Sequence, residues 1–500
     1  MTSVAAGIRG AAVSPRAVVL PLALAQFIAS YAGSNMNVAI STIAGDIDTT
    51  VRGMQTTITL FTLTMASLMI PGSKLTDIFG RKRCFSLGLA VYGLGAFLAL
   101  LSQGLPLMII GYSALEGIGS ALMIPPVYIL ITVVFDDVKT RAKYFGVVSG
   151  SAGLGSAAGP LVGGLITTTI SWRASFGLQV LVVGYILLLS RKLVDPPLTG
   201  PRPTFDLRGA VLSALGLFFV VLGILQSGKY GWFVSIEPFE VGGTVIIPKG
   251  GVSPIWIFIA IGAIILLLFF WHIRRFERKG RQPLLHSRLF RNVTANLGLG
   301  TQMIQWLVLQ GSFFVTSVFL QERRHYSPIE TGLMLTPATI GILLSSARAE
   351  RLAQRRPQRW LIVAGFLVTT LGMVLLLALV RPSSAIWTFV PGLLFMGLGI
   401  GVMLTSSVNV VQSCFPDRDQ GDISGLSRSV SNLGSSLGTA LVGSILVVAA
   451  SGGKQFAVSA GAMVAFALIG LVLAVLIPRG TAPARRQPAE NPAPNPTVSA

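Results

Sequence analysis

The chain has 500 residues, of which 52% are hydrophobic and only 11% are charged. A soluble domain of this size carries about 25% charged residues, so the composition excludes an ordinary soluble protein and makes lipid the solvent for most of the surface. The formal net charge is +20, which makes the distribution of the basic residues important for any prediction of a polyanionic partner.

Fourteen apolar segments are long enough to span a membrane, for which about 20 residues are needed. Lipid offers no hydrogen bonds to the backbone, so each segment is predicted to be helical. The sequence therefore predicts an all-α membrane protein with fourteen transmembrane helices. The predicted spans are 18–43, 54–71, 84–102, 105–135, 144–168, 172–190, 209–226, 254–273, 296–320, 328–347, 360–380, 384–411, 423–450 and 455–477.

The basic residues are concentrated on one side of these spans. With the N-terminus in the cytoplasm, 30 Lys and Arg residues fall on the inside and 8 on the outside. This is the positive-inside pattern, which predicts a multi-pass protein of the plasma membrane with both termini cytoplasmic. It accounts for the net charge without a nucleic acid. The richest inside segment, from Arg274 to Arg291, is expected to contact anionic membrane lipids.

The sequence contains no pattern typical of a cofactor, a metal or an enzyme. Cys84 and Cys414 are far apart, and the three histidines have no metal-ligand spacing. The nucleotide-binding pattern GxxxxGK[ST] is absent from the chain. Nor does the sequence contain a recognisable pair of nucleophile and base. We therefore expect no cofactor, no metal and no enzymatic activity.

Two sequence features recur at nearly the same interval. The segment that begins at Gly72, after the second span, is similar to the one that begins at Ala349, 277 positions later. The glycines of the fifth span, Gly155 and Gly159, recur in the thirteenth at Gly434 and Gly438, 279 positions later. Transporters are often built from such repeats. The recurrence predicts two equivalent six-helix bundles with two helices inserted between them.

This organisation predicts five regions along the chain. In the extracellular loop, residues 235–239 and 243–247 flank a glycine-containing turn and are similar to a β-hairpin; such a loop serves as a lid, as a partner surface or as a passive connector. The regions are a cytoplasmic N-terminus (1–17), an N-terminal bundle (18–192), an inserted helix pair with extracellular loop 227–253 and a basic cytoplasmic linker (193–291), a C-terminal bundle (292–477) and a disordered cytoplasmic tail (478–500).

Two motifs, one between Gly72 and Lys82 after the second span and one between Gly155 and Gly164 in the fifth, resemble signatures of the major facilitator superfamily. In the signature that begins at Gly72, Lys74 stands where the superfamily has a variable or hydrophobic residue. Further segments, at Phe205 and Ser424, resemble the superfamily's fourteen-helix branch of drug:proton antiporters. The signature G-x-L-x-D-x-x-G-R-K is matched by Gly72, Asp77, Gly80, Arg81 and Lys82, and the antiporter signature G-x-x-x-G-P-x-x-G-G by Gly155, Gly159, Pro160, Gly163 and Gly164.

The resemblance implies two six-helix bundles, here with two inserted helices, that transport by alternating access. It makes the segment after the second span a cytoplasmic gate, in which Asp77 pairs with Arg81 to hold the bundles together. The alternative is that the basic residues only anchor the loop inside. In the fifth span, the glycines form a ridge against which another helix packs, and Pro160 permits a bend. Such a ridge serves either rocking motion or static packing.

Glu116 is the only acidic residue deep within a predicted span. A carboxylate there is costly, so it is expected to be protonated part of the time, to face a wet cavity or to have a partner. Three roles remain open for it: proton coupling, substrate contact and structural hydrogen bonding. The chain departs from the family pattern at two positions commonly tied to proton coupling, because Ala32 replaces an Asp and Ser113 replaces an Arg.

Six polar residues in the first and ninth spans are candidates for lining a central cavity. Interhelical hydrogen bonding is an equally good explanation for each of them. The candidates are Gln26, Asn35, Asn37, Gln302, Gln305 and Gln310.

Together these patterns predict a secondary active transporter that exports small amphipathic or hydrophobic compounds, such as drugs, in exchange for protons. Its partners would be the small-molecule substrate, the proton and membrane lipids. A lipid or metabolite exporter that is not coupled to protons in the usual way remains an alternative. A non-transporting membrane sensor or scaffold is the alternative from another class.

Overall fold

A computed structural model of the protein describes residues 15–135, 138–193, 204–241, 244–381, 384–415, 419–448 and 455–478. The predicted N-terminal segment up to residue 14 and the predicted tail from residue 479 onwards lie outside the described residues.

The described chain is almost entirely helical, and its long helices lie where the apolar segments predict them. We number them in chain order. They are α1 (Pro15–Asn35), α2 (Val51–Phe79), α3 (Arg81–Leu100), α4 (Leu105–Met108, continuing through the π-helical Ile109–Glu116 into Gly117–Val134), α5 (Val138–Thr169), α6 (Trp172–Ser190), α7 (Leu207–Tyr230), α8 (Ile255–Arg278), α9 (Val293–Val318, continuing as the π-helical Phe319–Arg323), α10 (Pro328–Arg355), α11 (Gln358–Leu379), α12 (Phe389–Ser413), α13 (Gln420–Val448) and α14 (Gln455–Leu476).

The first predicted span, 18–43, is not a single helix. Helix α1 ends at Asn35, and the chain continues through a 3-10 turn, Met36–Val38, into the short helix Ile40–Asp46. The residues around the break include Gly33 and Asn35, and glycine and asparagine are poor helix formers. Apolarity continues through this region, which explains why hydropathy alone predicted one long span.

Within the described residues, twelve helices are long and apolar enough to cross a membrane, which makes this a multi-pass membrane protein. Helices α5 and α13 are not among the twelve that are found within the described residues. The most extensive contacts of α5 are with α1 and α10, and those of α13 are with α9 and α2. The count of fourteen spans stays a prediction.

The pairs of helices that pack together recur along the chain. Helices α1 and α5 are in contact, as are α9 and α13; the α2–α4, α3–α4 and α3–α6 contacts recur as α10–α12, α11–α12 and α11–α14. Each pair is repeated eight helices later. The contacts between the two sets are formed chiefly by α2 with α13 and by α5 with α10. Helix α7 pairs with α8 and also contacts α2 and α13.

Glycines permit the closest of these contacts, and they recur at the same interval as the helix pairs. A Cβ atom added at Gly95 in α3 would lie 2.6 Å from the carbonyl oxygen of Gly111 in α4. A Cβ atom added at Gly372 in α11 would likewise lie 2.6 Å from the carbonyl oxygen of Gly392 in α12. Gly95 and Gly372 are 277 positions apart. In both places one helix backbone packs directly on another.

The inserted helices are joined by an antiparallel strand pair, Phe239–Val241 and Thr244–Ile247. The first strand begins at Phe239, later than the predicted 235–239, because Pro238 cannot donate to the ladder. At the other end of the two inserted helices, the carboxylate of Asp206 caps α7 by accepting from the Gly209 backbone N–H at 2.9 Å. Its Oδ1 also lies 2.8 Å from Nε2 of His272 in α8. The Asp206 carboxylate therefore joins the two inserted helices.

The glycine contacts lead to a prediction about folding stability. We expect Gly95→Ala to lower the free energy of unfolding by about 1–3 kcal/mol, because the new Cβ collides with backbone atoms of α4 that cannot move aside. Thermal unfolding of the purified protein in detergent measures this. Gly184 in α6 has no atom within 4 Å of an added Cβ, so Gly184→Ala is the matched control and should be neutral or stabilising. Equal melting temperatures for the two variants would contradict the prediction.

Candidate functional site

A cavity of about 90 Å³ lies where the two sets of helices meet. Seven helices contribute to its wall: α1, α2, α4 and α5 on one side, and α9, α10 and α13 on the other. One part of the wall is apolar and aromatic and includes Phe61, Trp306 and Phe313. Another is polar and includes Asn432. A cavity of this size holds a few water molecules, each of which occupies about 30 Å³ in the liquid.

Two of the six predicted cavity residues, Gln26 and Gln310, line this cavity. Gln310 Nε2 donates to the carbonyl oxygen of Gly33 at 3.1 Å, which connects α9 to α1 across the interface. Gln26 Oε1 accepts from the hydroxyl of Tyr128 in α4 at 3.5 Å. Both side chains therefore serve interhelical contacts and face the cavity as well.

The other four candidates lie at contacts between helices. Gln302 Oε1 accepts from Ser427 Oγ at 2.8 Å, and Gln305 Oε1 accepts from Ser407 Oγ at 3.1 Å. Their amide groups join α9 to α13 and to α12, which is the structural alternative that the sequence left open for them.

Asn35 and Asn37 lie at the end of α1 and in the turn that follows it. Asn35 is buried, and its side-chain oxygen lies against Gly163 of α5. The carbonyl oxygen of Asn37 accepts from Gln321 Nε2 at 3.1 Å. The backbone of Asn37 therefore contributes to a contact between the two sets of helices.

A cavity residue that the sequence reasoning missed is Arg428 of α13. Its guanidinium donates to the hydroxyl of Tyr128 and lies 5.1 Å from the centre of the Tyr128 ring. The signal was present in the sequence, because Arg428 is the only basic residue within the predicted span 423–450.

The glycines of the antiporter signature pack α5 directly on α1. An added Cβ at Gly155 would overlap the carbonyl oxygen of Phe27, and at Gly159 and Gly163 it would overlap Ser34 and Asn35.

On another face of α5, Gly164 lies against α10, where an added Cβ would be 2.6 Å from the Pro328 carbonyl oxygen. Pro160 also faces α10, where an added Cβ at Gly332 would overlap its carbonyl oxygen. Helix α5 therefore has close contacts on both sides, to α1 within its own set of helices and to α10 in the other.

The corresponding glycines of α13 pack on α9 in the same way. An added Cβ would overlap the Met303 carbonyl oxygen at Gly434 and the Leu307 carbonyl oxygen at Gly438.

The segment after α2 forms a tight junction between α2 and α3. Gly72 packs on α4, where an added Cβ would overlap the carbonyl oxygen of Ala121. Gly80 ends α2 with a φ of +99°, a backbone conformation that favours glycine. Lys82 Nζ donates to the carbonyl oxygen of Arg191 at 2.9 Å, at the end of α6.

The ion pair that joins the two sets of helices here is Lys74 with Asp422. Lys74 Nζ lies 2.5 Å from Asp422 Oδ1 at the start of α13. Asp77 lies close enough to Lys74 and Arg81 to interact with them electrostatically. No ion pair within 4.0 Å joins Asp77 to Arg81 in the described part of the chain. The interhelical pair thus uses the position at which the sequence departs from the family signature.

The linker between α8 and α9 also contacts this junction. His286 Nδ1 lies 3.2 Å from Asp422 Oδ2, and Arg288 pairs with Asp419. The basic linker therefore has protein partners at the start of α13, in addition to any lipid contact.

Contacts at the opposite end of the cavity also join the two sets of helices. Gln321 Oε1 accepts from the backbone N–H of Ser41 at 3.0 Å. Thr168 Oγ1 accepts from the backbone N–H of Ile329 at 3.1 Å, where α5 meets α10. The cavity thus has polar contacts between the two sets of helices at both of its ends.

Glu116 lies within the first set of helices, away from the cavity wall. It is the last residue of the π-helical part of α4, it is fully buried, and its backbone packs on Gly95 of α3. Within the described residues, neither carboxyl oxygen has a hydrogen-bond partner in standard geometry. Burying an ionised carboxylate without a partner is costly. The hydroxyl of Tyr92 interacts with the Glu116 carboxyl group and also lies 2.5 Å from Gln179 Oε1.

The two positions that depart from the family pattern contact neighbouring helices. Ser113 Oγ donates to the Thr57 carbonyl oxygen of α2 at 2.7 Å. Ala32 is buried, and its carbonyl oxygen accepts from the Tyr112 hydroxyl at 3.3 Å. Neutral contacts between helices therefore occupy the places of the family's charged groups.

The multi-pass helical fold and its central cavity are those of a membrane transporter, and comparison with known proteins supports this class. The family model described as Major Facilitator Superfamily matches residues 22–299, 239–438 and 298–500. The chain belongs to the major facilitator superfamily, and it is a transporter rather than an enzyme.

Similar proteins come from several bacteria. The chain is 26% identical to the multidrug resistance protein Stp of Mycobacterium tuberculosis, over 82% of this chain and 72% of that protein. It is 27% identical to the probable actinorhodin transporter of Streptomyces coelicolor, over 83% and 69% of the two chains. It is 28% identical to the cephamycin export protein CmcT of Amycolatopsis lactamdurans, over 93% and 92%.

The Lys74–Asp422 pair leads to a prediction that a double-mutant cycle tests. Lys74→Met and Asp422→Asn should each lower thermal stability, and the double variant should lose less than the sum, with a coupling energy of about 1 kcal/mol. Arg83 is exposed and lies next to Arg81 and Lys82 at the start of α3. Arg83→Met combined with Asp422→Asn is the matched control and should be additive. Additivity in both cycles would contradict a direct Lys74–Asp422 interaction.

Proposed function

We propose that this transporter exports small amphipathic or hydrophobic compounds, such as drugs, in exchange for protons and by alternating access. The observation that carries the proposal is the cavity between the two sets of helices, with polar contacts at both of its ends. The names of similar proteins, which refer to multidrug resistance, a probable actinorhodin transporter and cephamycin export, support a compound exporter.

The proposal includes fourteen transmembrane helices, organised as two equivalent six-helix bundles with α7 and α8 inserted. Helices α5 and α13 have 32 and 29 residues, which at 1.5 Å per residue exceeds the roughly 30 Å of a bilayer core. Helix α13 also extends from one end of the cavity to the other: Asp422 pairs with Lys74, whereas the carbonyl oxygen of Thr439 accepts from Gln55 Nε2 near the start of α2. The recurring helix pairs support the bundle equivalence.

Orientation follows from the distribution of basic residues. We place both termini in the cytoplasm and the protein in the plasma membrane, so the Lys74 end of the cavity faces the cytoplasm. The Lys74–Asp422 pair, with Gly72, Asp77, Gly80, Arg81 and Lys82, then forms the cytoplasmic gate. The contacts of Gln321 with Ser41 and of Ile329 with Thr168 form the outer gate.

Alternating access requires one gate to open while the other stays closed. The glycine ridge of α5 suits this motion, because backbone surfaces without side chains slide with little steric hindrance. Pro160 lies where α5 contacts α10, so a bend there changes the contact between the bundles. The cavity has to widen in this motion, because ligand pockets for drug-sized molecules are about 300–1,000 Å³.

Glu116 is our candidate for the proton-coupling residue. Its position at the end of a π-helical segment supports this role, because such segments occur frequently at functional sites. Exchange of its proton requires α3 and α4 to separate around Gly95 and Gly111, where they are in backbone contact.

An exporter that is not coupled to protons is the second candidate. It is favoured by the cavity wall, since no carboxylate lines the cavity within the described part of the chain. The neutral Ala32 and Ser113 at the family's charged positions favour it as well.

Proton movement in inverted membrane vesicles tests the proposal. We expect addition of an exported compound from a drug panel to dissipate an imposed pH gradient in the wild type. In Glu116→Gln, which cannot exchange a proton, we expect this dissipation to fall to about one tenth or less, while compound binding persists. Glu322→Gln, at an exposed position, is the matched control and should behave as the wild type.

The outcomes separate the parts of the proposal. Equal proton movement in the wild type and Glu116→Gln would remove Glu116 from coupling and leave export intact. Compound transport without proton movement would replace antiport with the uncoupled candidate. Absence of transport for the whole panel would contradict the exporter itself.

A further inference from the structure

The cavity wall contains one ionisable side chain among the described residues, and it is a cation. Arg428 lines the cavity together with amides, hydroxyls and apolar groups, and no Asp, Glu, Lys or His side chain joins it there in the described part of the chain. A guanidinium is always charged. The cavity is therefore electropositive whatever the pH.

The partners of Arg428 leave its charge uncompensated. The hydroxyl and the ring of Tyr128 provide a neutral hydrogen bond and a cation–π contact. Within the described residues, no carboxylate lies within 4.0 Å of the guanidinium. A cation at membrane depth without a counter-charge is costly, and such residues mark substrate or ion pathways.

The groups around Arg428 suit a planar acidic group. The guanidinium presents several N–H donors in a fork that matches a carboxylate. The amides of Gln26 and Asn432 line the same cavity and supply further polar contacts. Tyr128 keeps the guanidinium in place through its hydroxyl and its ring.

The rest of the cavity suits an apolar body. Phe61 and Met65 come from α2, and Trp306, Leu309 and Phe313 come from α9, on the other side of the interface. Aromatic side chains contribute large contact areas, and methionine adapts to irregular shapes.

From these two halves of the cavity, we propose that the substrates are organic anions. A carboxylate or similar acidic group binds Arg428, and an aromatic or apolar body packs against Trp306, Phe61 and Phe313. Cationic compounds, which Arg428 repels, are poor substrates. This inference rests on the proposed export function and specifies its substrate class.

Three probes that share one body test the substrate class in the full-length protein. They are dansylglycine, a carboxylate; its primary amide, which is neutral; and dansyl-ethylenediamine, a cation. Binding to the purified protein is measured by energy transfer from tryptophan to dansyl, with Trp306→Phe identifying the part that comes from the cavity. Transport of the same probes is measured in inverted vesicles.

We expect the wild type to bind dansylglycine at least about tenfold more tightly than its amide, and the cation most weakly. Arg428→Gln should weaken dansylglycine binding by about tenfold and leave binding of the amide nearly unchanged. Arg428→Lys, which keeps the charge and loses the fork, should give an intermediate affinity. Arg323 lies at the C-terminal end of α9, outside the cavity wall, and contacts Gln455. Arg323→Gln is therefore the matched control and should bind all three probes as the wild type does.

Binding of the neutral amide shows that each variant is folded. Equal binding of dansylglycine by the wild type and Arg428→Gln, or a preference of the wild type for the cation, would overturn the proposal. Chloride that competes as strongly as dansylglycine would assign Arg428 to an inorganic ion and overturn it as well.

The failure of the export function has a different signature. Arg428-dependent binding of dansylglycine without transport of any probe would support the anion site and contradict export. Transport of the amide and the cation but not of dansylglycine would support export and contradict the anion site.

Discussion

Direct contact between helix backbones is the constraint on which the rest of this structure depends. In lipid, the hydrophobic effect does not drive one helix against another, so association relies on van der Waals packing and hydrogen bonds at short distance. Glycine removes the side chain that would keep the backbones apart. Gly95 and Gly372 allow this approach within the two sets of helices, and Gly155 and Gly164 allow it on two faces of α5. Alanine at these positions would collide with backbone atoms, which have little freedom to move aside.

The cavity and its contacts follow from that packing. The glycine contacts hold α1 against α5 and α9 against α13, so that all four helices face the space between the two sets. Polar bonds between the sets occur at both ends of that space: an ion pair of Lys74 with Asp422 at one end, and backbone hydrogen bonds to Gln321 and Thr168 at the other. These polar bonds join side chains and backbone groups of different sets, whereas the glycine contacts within each set rely on close packing of helix backbones.

How far the sequence predicted the site depended on whether a residue's function rests on its local motif or on its distant neighbours. The antiporter signature identified Gly155, Gly159 and Gly163, and the structure places α1 against all three, because a glycine ridge needs only an adjacent helix. The sequence identified Gln302 as a polar residue within the ninth span. It could not show whether the amide of Gln302 faces the cavity or, as the structure shows, bonds to Ser427 of α13. Arg428 was missed although its charge within an apolar segment was visible, since its importance depends on Tyr128, 300 positions away.

The sequence by itself determined the class of the protein: apolar segments long enough to span lipid require helices, because the backbone has no other hydrogen-bond partners there. It also predicted an internal repeat, since the spacing of glycines and basic segments is a property of the chain alone. Only the tertiary structure decided which charged groups meet. It joined Lys74 to Asp422, buried Glu116 of α4 against α3, and placed Arg428 in the cavity. These arrangements depend on the rotation and depth of each helix, which are set by packing against neighbours that are distant in the sequence.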